Sequence, residues 1–221
     1  MKTLLLAAMV LAIGTERAEA KCGCGADLLT TSVAEGQPRI VVAASCAQKA
    51  PTITLEDAAG KSVAIAVTAT HDGYSRSAQF VVEPRRTLLP GTYKVLVDGR
   101  YDPLPLTVVA ATKNASLPAW SSAPSVTDQK QMEFGCGPAK TVKVSAGTAS
   151  LAYVELVDVS SKQQTAGYVR VENGELAIGH GMCGGAFELM KGRSYTAAIT
   201  LLAPERGTSS MSRTVSFTYA P

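Results

Sequence analysis

Leu89-Pro90-Gly91-Thr92-Tyr93 runs into the alternating stretch Lys94-Val95-Leu96-Val97, and Leu189-Met190-Lys191-Gly192-Arg193-Ser194-Tyr195 runs into Thr196-Ala197-Ala198-Ile199-Thr200-Leu201. Each stretch sets a leucine, then a turn glycine, then a tyrosine that opens a strand. Side chains alternate across a strand, so Tyr93, Val95 and Val97 share one face while Lys94 and Asp98 share the other. Tyr195, Ala197, Ile199 and Leu201 fall on one face in the same phase. One buried side and one wet side is the signature of an antiparallel strand laid over a core. The same device in both halves predicts two similar all-β units in one chain.

Working outward, helical periodicity is nearly absent. Short period-two runs broken by glycine, proline, serine and asparagine recur throughout. In the first half they predict strands near 39–44, 52–57, 62–68, 78–83, 92–98 and 104–110; in the second, near 141–145, 153–159, 167–172, 175–178, 187–190, 195–202 and 213–219. Asn173-Gly174 between Val171 and Leu176 is a two-residue hairpin signal. Residues 113–127 are small, polar and proline-punctuated, which reads as a linker between a unit at 21–112 and a unit at 128–221. The single tryptophan, Trp120, lies inside it and is expected to wedge between the two units. Asn114-Ala115-Ser116 is a glycosylation sequon, of consequence only in a host with that machinery.

The paired corners resemble the tyrosine corner of immunoglobulin-like β-sandwiches. Phe80-Val81-Val82-Glu83-Pro84 followed by Leu88-Leu89-Pro90-Gly91-Thr92-Tyr93-Lys94-Val95 resembles the end of bacterial immunoglobulin-like or fibronectin-like domains of the kind related to periplasmic CopC-type copper carriers. The resemblance covers a short part of the first unit, with an echo in the second. It implies an all-β fold of two tandem immunoglobulin-like sandwiches and leaves function open, because these sandwiches host many roles. Copper carriers of this type hold metal through N-terminal and loop histidines. This chain instead has Lys21-Cys22-Gly23-Cys24 at the corresponding end.

The first twenty residues read as a cleaved signal peptide: Lys2, an apolar run from Leu4 to Ile13, and the small-x-small site Ala18-Glu19-Ala20. The apolar run is about half of what a membrane span needs, so no span is expected. Cys22 follows Lys21 rather than small residues, which argues against a lipid anchor. Cleavage removes as many acidic as basic residues, so the formal charge stays at +3. The basic residues are scattered, with Arg85-Arg86 the only adjacent pair, and no basic stripe interleaved with aromatics implies nucleic acid.

Five cysteines follow the signal: Cys22, Cys24, Cys46, Cys136 and Cys183. Export favours pairing. A Cys136–Cys183 bridge would close a loop of about 48 residues, for roughly 4 kcal/mol of loop-closure entropy. Cys46 has Cys22 or Cys24 to pair with. Cys24–Cys46 leaves Cys22 as a spare thiol, able to join two chains, and the choice between the two stays open. Cys22-Gly23-Cys24 as a strained exchange site would be a thiol-handling function, but no thioredoxin-like pattern surrounds it.

Gly179-His180-Gly181-Met182-Cys183-Gly184-Gly185 gathers imidazole, thioether and thiol, the soft set copper prefers. The only other histidine, His71, lies in the other unit, so no metal and no cofactor is predicted, and the glycines read as turn formers. No nucleophile elbow, phosphate loop or dinucleotide fingerprint is present, and Glu155 and Asp158 point to opposite faces. The sequence therefore predicts no catalytic residue. It predicts an exported, periplasmic or extracellular, non-enzymatic binding or structural module with a protein or cell-envelope partner. The alternatives are a periplasmic copper- or thiol-handling protein and a two-domain periplasmic chaperone. The chaperone needs an edge strand to lend, and the candidate is Leu104–Ala110.

Overall fold

The computed structural model describes residues 22–46, 51–99, 102–135 and 137–221. The predicted signal peptide lies outside these residues. No helix among them is long and apolar enough to cross a membrane.

The first half is built from Ala26–Leu28 (β1), Ser32–Ala34 (β2), Ile40–Ala44 (β3), Ile53–Glu56 (β4), Ser62–Val63 (β5), Ile65–Asp72 (β6), Ala78–Pro84 (β7), Gly91–Val97 (β8) and Leu104–Val109 (β9). They form a four-stranded sheet, β1-β3-β7-β6, and a five-stranded sheet, β2-β9-β8-β4-β5. Pairing is antiparallel except between β2 and β9. The two sheets close over one core that includes Leu28, Val42, Phe80, Val95 and Leu106. β9 is internal, covered by β2, and so is not the free edge that a strand-lending chaperone would need.

The second half contains Val126–Phe134 (β10), Gly137–Ser145 (β11), Leu151–Asp158 (β12), Gln164–Glu172 (β13), Glu175–Gly181 (β14), Gly184–Gly185 (β15), Ser194–Ala203 (β16), Thr208–Ser209 (β17) and Arg213–Thr218 (β18). β13 links two layers: its first part pairs with β12, while Val171 and Glu172 pair with β14. β10-β11-β14 thus lie on one side, and β12-β16-β18 on the other, of a core holding Val142, Val154, Ile178, Ile199 and Tyr219. The chain is all-β and folds as two tandem sandwiches.

Both corners form. The Tyr93 hydroxyl donates to the Leu89 carbonyl at 3.1 Å. In the second, the Met190 amide donates to the Tyr195 hydroxyl at 2.8 Å. The Asn173-Gly174 turn has φ of 52° and 77°, the double positive φ of a type I′ hairpin.

Three expectations change. Residues 187–190 keep the alternation, with Phe187 and Leu189 buried, but make no ladder. Their polar groups are met singly, as when the Phe187 amide donates to the Gly179 carbonyl. β10 begins at Val126 and runs through a polar sequence whose weak alternation hides it. Trp120 is not a wedge between sandwiches. It bridges Gly147, donates from Nε1 to the Met211 carbonyl at 3.3 Å and lies 5.8 Å under the Arg213 guanidinium, all on the second sandwich.

Candidate functional site

The first sheet's β3 and β7 are buried on both faces. Val42, Phe80 and Val82 point into the first core, whereas Val41 and Val81 point outward yet remain 1% and 3% exposed. Their cover is the outer face of the second sandwich, where Leu151 and Tyr168 complete a small apolar cluster. The sandwiches therefore pack face to face along a seam. Two continuous apolar runs, Ile40-Val41-Val42 and Phe80-Val81-Val82, carry this signal in the sequence, because a strand wet on one side would alternate.

Polar groups lock the seam. Gln79 is buried and reaches across it, its Nε2 donating to the Tyr168 carbonyl at 2.8 Å and its Oε1 accepting from the Tyr168 amide at 2.6 Å. Gly167 leaves room for this, since a Cβ there would stand 3.0 Å from Gln79 Oε1. Arg170 clamps both carboxylate oxygens of Asp27 at 2.8 and 2.9 Å and also donates to the Leu28 carbonyl. The Arg170 guanidinium holds the Asp27 carboxyl below the usual range.

The glycine-rich loop read as a soft-metal candidate sits at one end of this seam. The Tyr74 amide donates to the Gly185 carbonyl at 2.9 Å, so the β6–β7 turn of the first sandwich touches β15 of the second. A Cβ on Gly73 would overlap that carbonyl, and a Cβ on Gly184 would overlap Ser77. These glycines serve close approach between domains rather than turns alone. His180 is 2% exposed and stacks on Tyr74 with ring centroids 3.6 Å apart. Its Nδ1 lies 2.9 Å from the Gly181 carbonyl, while Nε2 is buried without a partner. Burial holds its pKa below the ordinary histidine value.

The disulfides differ from the expected set. Cys183 is bonded to Cys22, with Cα atoms 5.2 Å apart, and not to Cys136 as the loop spacing suggests. Cys22 is therefore not a spare thiol in this structure. The physical reason is the seam, which brings the N-terminal segment of the first sandwich against the β14–β15 loop of the second. Cys24 is bonded to Cys46. Cys136 lies outside the described residues. Cys22 and Cys24, with one residue between them, thus tether the N-terminal segment to both sandwiches. With its sulfur in a disulfide, Cys183 offers no thiolate beside His180. Among the described residues no three His, Cys, Asp or Glu side chains gather as a metal would need.

Away from the locked end the two faces diverge. A groove of about 760 Å³ opens between them, lined by Arg39, Glu83 and His71 from the first sandwich and by Tyr153, Tyr168 and Thr200 from the second. At its far end the short 3-10 turn Pro204–Arg206 meets β2, and Ala34, Pro204 and Gly207 line the groove there. The three rings form one group: His71 lies 5.8 Å from Tyr153 and 5.6 Å from Tyr168, and the tyrosines lie 5.0 Å apart. His71 was legible only as an isolated histidine, and neither tyrosine carried a site signal. Their meeting depends on which faces of two separate domains dock.

No protein-family model matches the chain, and no curated protein matches it in sequence. Several solved structures are similar. The pair of fibronectin type-III domains from chicken tenascin is 12% identical, with 89% of this chain and 99% of that one covered, at a TM-score of 0.30. The chicken interferon gamma receptor alpha chain is 8% identical, with 91% and 100% covered, at 0.29. A pullulanase from Anoxybacillus sp. LM18-11 is 16% identical over 87% of this chain, at 0.29, and this chain spans only 25% of it. At these TM-scores the likenesses carry no argument about function.

Proposed function

We propose that this protein is an exported, non-enzymatic binding module: two immunoglobulin-like units, 21–112 and 128–221 joined by 113–127, fixed to one another so that the groove between them meets a partner in the cell envelope or extracellular space. The observation that carries this reading is the locked seam ending in an open groove. A disulfide, the Gln79 bridge and the Arg170–Asp27 pair hold one end together. A pre-set groove loses little entropy when it is filled, which favours binding. The groove's size falls within the range of ligand sites.

The test is a photo-crosslinking residue placed at Tyr153, in the groove, or at Ser216, on β18 away from it, in protein processed by its own cells. A defined adduct from position 153 and none from 216 supports the reading; equal labelling or none at 153 refutes it. Mass spectrometry of the same protein checks export, with an N-terminus at Lys21 expected.

One observation favours a second reading, copper handling: the unpartnered Nε2 of His180, three positions before Cys183 in the chain. It requires the Cys22–Cys183 bond to be reduced. Copper(I) titration of the oxidised and reduced protein, with His180→Ala as control, decides it; binding that does not depend on His180 rejects it.

A further inference from the structure

The groove contains more hydrogen-bonding groups than the protein itself uses. Among the described residues the hydroxyls of Tyr153, Tyr168, Thr200 and Ser209 and the ring nitrogens of His71 make no hydrogen bond within the chain, and all five residues line the groove. Tyr168 is 8% exposed, yet its hydroxyl is not sealed, since among the described residues His180 Nε2 is the one side-chain atom both fully buried and unpartnered. The phenol tip therefore reaches the groove.

These groups are neutral. Burial raises the pKa of Tyr168 and Tyr153 and lowers that of His71. The charges that line the groove are Arg39, Glu35 and Glu83, one cation to two anions. Arg39 Nε lies 3.2 Å from Glu83, and Glu35 accepts from the Ala111 amide at 3.0 Å. Among the described residues Arg39 is the one lysine or arginine that lines the groove, and two carboxylates outnumber it, which disfavours a phosphate or a carboxylate. Val41, Val81 and Leu151 are covered by one another across the seam, so the apolar surface left open in the groove comes from Ala69 and Leu202 and from the rings of His71 and Tyr153.

A ligand that fits such a surface has apolar faces for the rings and a rim of hydroxyls for the tips, and carries no charge. A pyranose chain has this chemistry: C–H faces pack on aromatic rings while hydroxyls both donate and accept, as tyrosine, threonine and neutral histidine do. We infer that the groove binds a neutral oligosaccharide, with the partly exposed rings of Tyr153 and His71 as its apolar contacts and the hydroxyls of Tyr168, Thr200 and Ser209 as its polar ones. This inference rests on the binding-module reading above.

The experiment is calorimetric titration of the oxidised full chain with cellohexaose, maltohexaose, xylohexaose and N-acetylchitohexaose, with an oligogalacturonate and a proline-rich decapeptide as controls. At least one neutral hexasaccharide should bind saturably, with a Kd of about 1 mM or tighter. Tyr153→Ala should weaken it by about tenfold or more. Tyr168→Phe, which keeps the seam packing, should weaken it severalfold, and Ser216→Ala should change nothing. Three results overturn the inference: no saturable binding by any neutral member, tighter binding of the anion or the peptide, or binding indifferent to Tyr153. If position 153 still crosslinks a partner of another class, the module reading stands and the saccharide alone falls. If the crosslink fails too, both fall.

Discussion

Replacing Gln79 by leucine removes one side chain of the seam while keeping its approximate volume. In the native protein both ends of the Gln79 amide are spent on the Tyr168 backbone, at 2.8 and 2.6 Å, in a buried position. Gln79→Leu leaves the Tyr168 N–H and C=O without partners. A buried orphan of this kind costs about 1–3 kcal/mol, partly offset because glutamine no longer has to be dried, so a net loss of about 2–4 kcal/mol follows. For two docked units unfolding together that corresponds to a fall in Tm of about 4–16 °C. Urea and thermal unfolding followed by circular dichroism give the free energy, and hydrogen exchange of the Tyr168 amide localises it. Gly167→Ala supplies a companion, because its methyl would press on Gln79 Oε1 at 3.0 Å and Ala186 Cβ at 3.2 Å. Its effect should be smaller, and the double substitution should lose less than the sum, as coupled neighbours do. A loss below about 0.5 kcal/mol for Gln79→Leu, with the Tyr168 amide still protected, would refute a seam held by this bridge.

Cys22→Ser opens the inter-domain disulfide, whose partners are 161 residues apart; loop-closure entropy sets an upper limit of about 5 kcal/mol on the loss, and non-reducing peptide mapping should show the Cys22–Cys183 peptide vanish while Cys24–Cys46 remains. The two corners should respond unequally: Tyr195→Phe strands the Met190 amide against a residue only 3% exposed and should cost about 1–3 kcal/mol, whereas Tyr93→Phe, at a half-exposed site, should cost under about 1 kcal/mol by chemical denaturation. Acid should destabilise the protein in two steps. His180 and His71 have pKa values lowered by burial, so the unfolded chain binds more protons than the folded one as pH falls below about 6.5. Stability is lost from there down to the folded-state values. Asp27, held low by Arg170, and Asp158, held low by the Ser160 hydroxyl and Arg193, add a second loss below about pH 4. His180→Phe should shrink the first step in a Tm-against-pH series and leave the second; an unchanged first step would remove His180 from the account.

Local chemistry was written plainly in the sequence. A glycine turn before a tyrosine, period-two alternation and Asn173-Gly174 each act over a few residues, so most strands, both corners and the type I′ hairpin could be read without tertiary knowledge. β10 escaped because its side chains are mostly exposed and give the pattern nothing to mark. Residues 187–190 misled because alternation reports which side chains are buried, not whether the backbone has a neighbour to pair with.

The disulfide partner of Cys183, the role of the glycines around His180 and the groove itself belong to another level. Loop length ranks closures by entropy, but a disulfide forms only where Cα atoms come within a few ångströms, and the docking of two sheet faces chose Cys22 for Cys183. Alternation reads the strands as wet on one side, although the continuous runs Ile40-Val41-Val42 and Phe80-Val81-Val82 carry the mark of a sheet covered on both faces. They could not name the cover, because many apolar surfaces satisfy the same burial. The sequence alone determined two sandwiches and their corners through contacts between near neighbours. Only the tertiary structure decided that Leu151 and Tyr168 lie on Val41 and Val81, and so where His71, Tyr153 and Tyr168 meet.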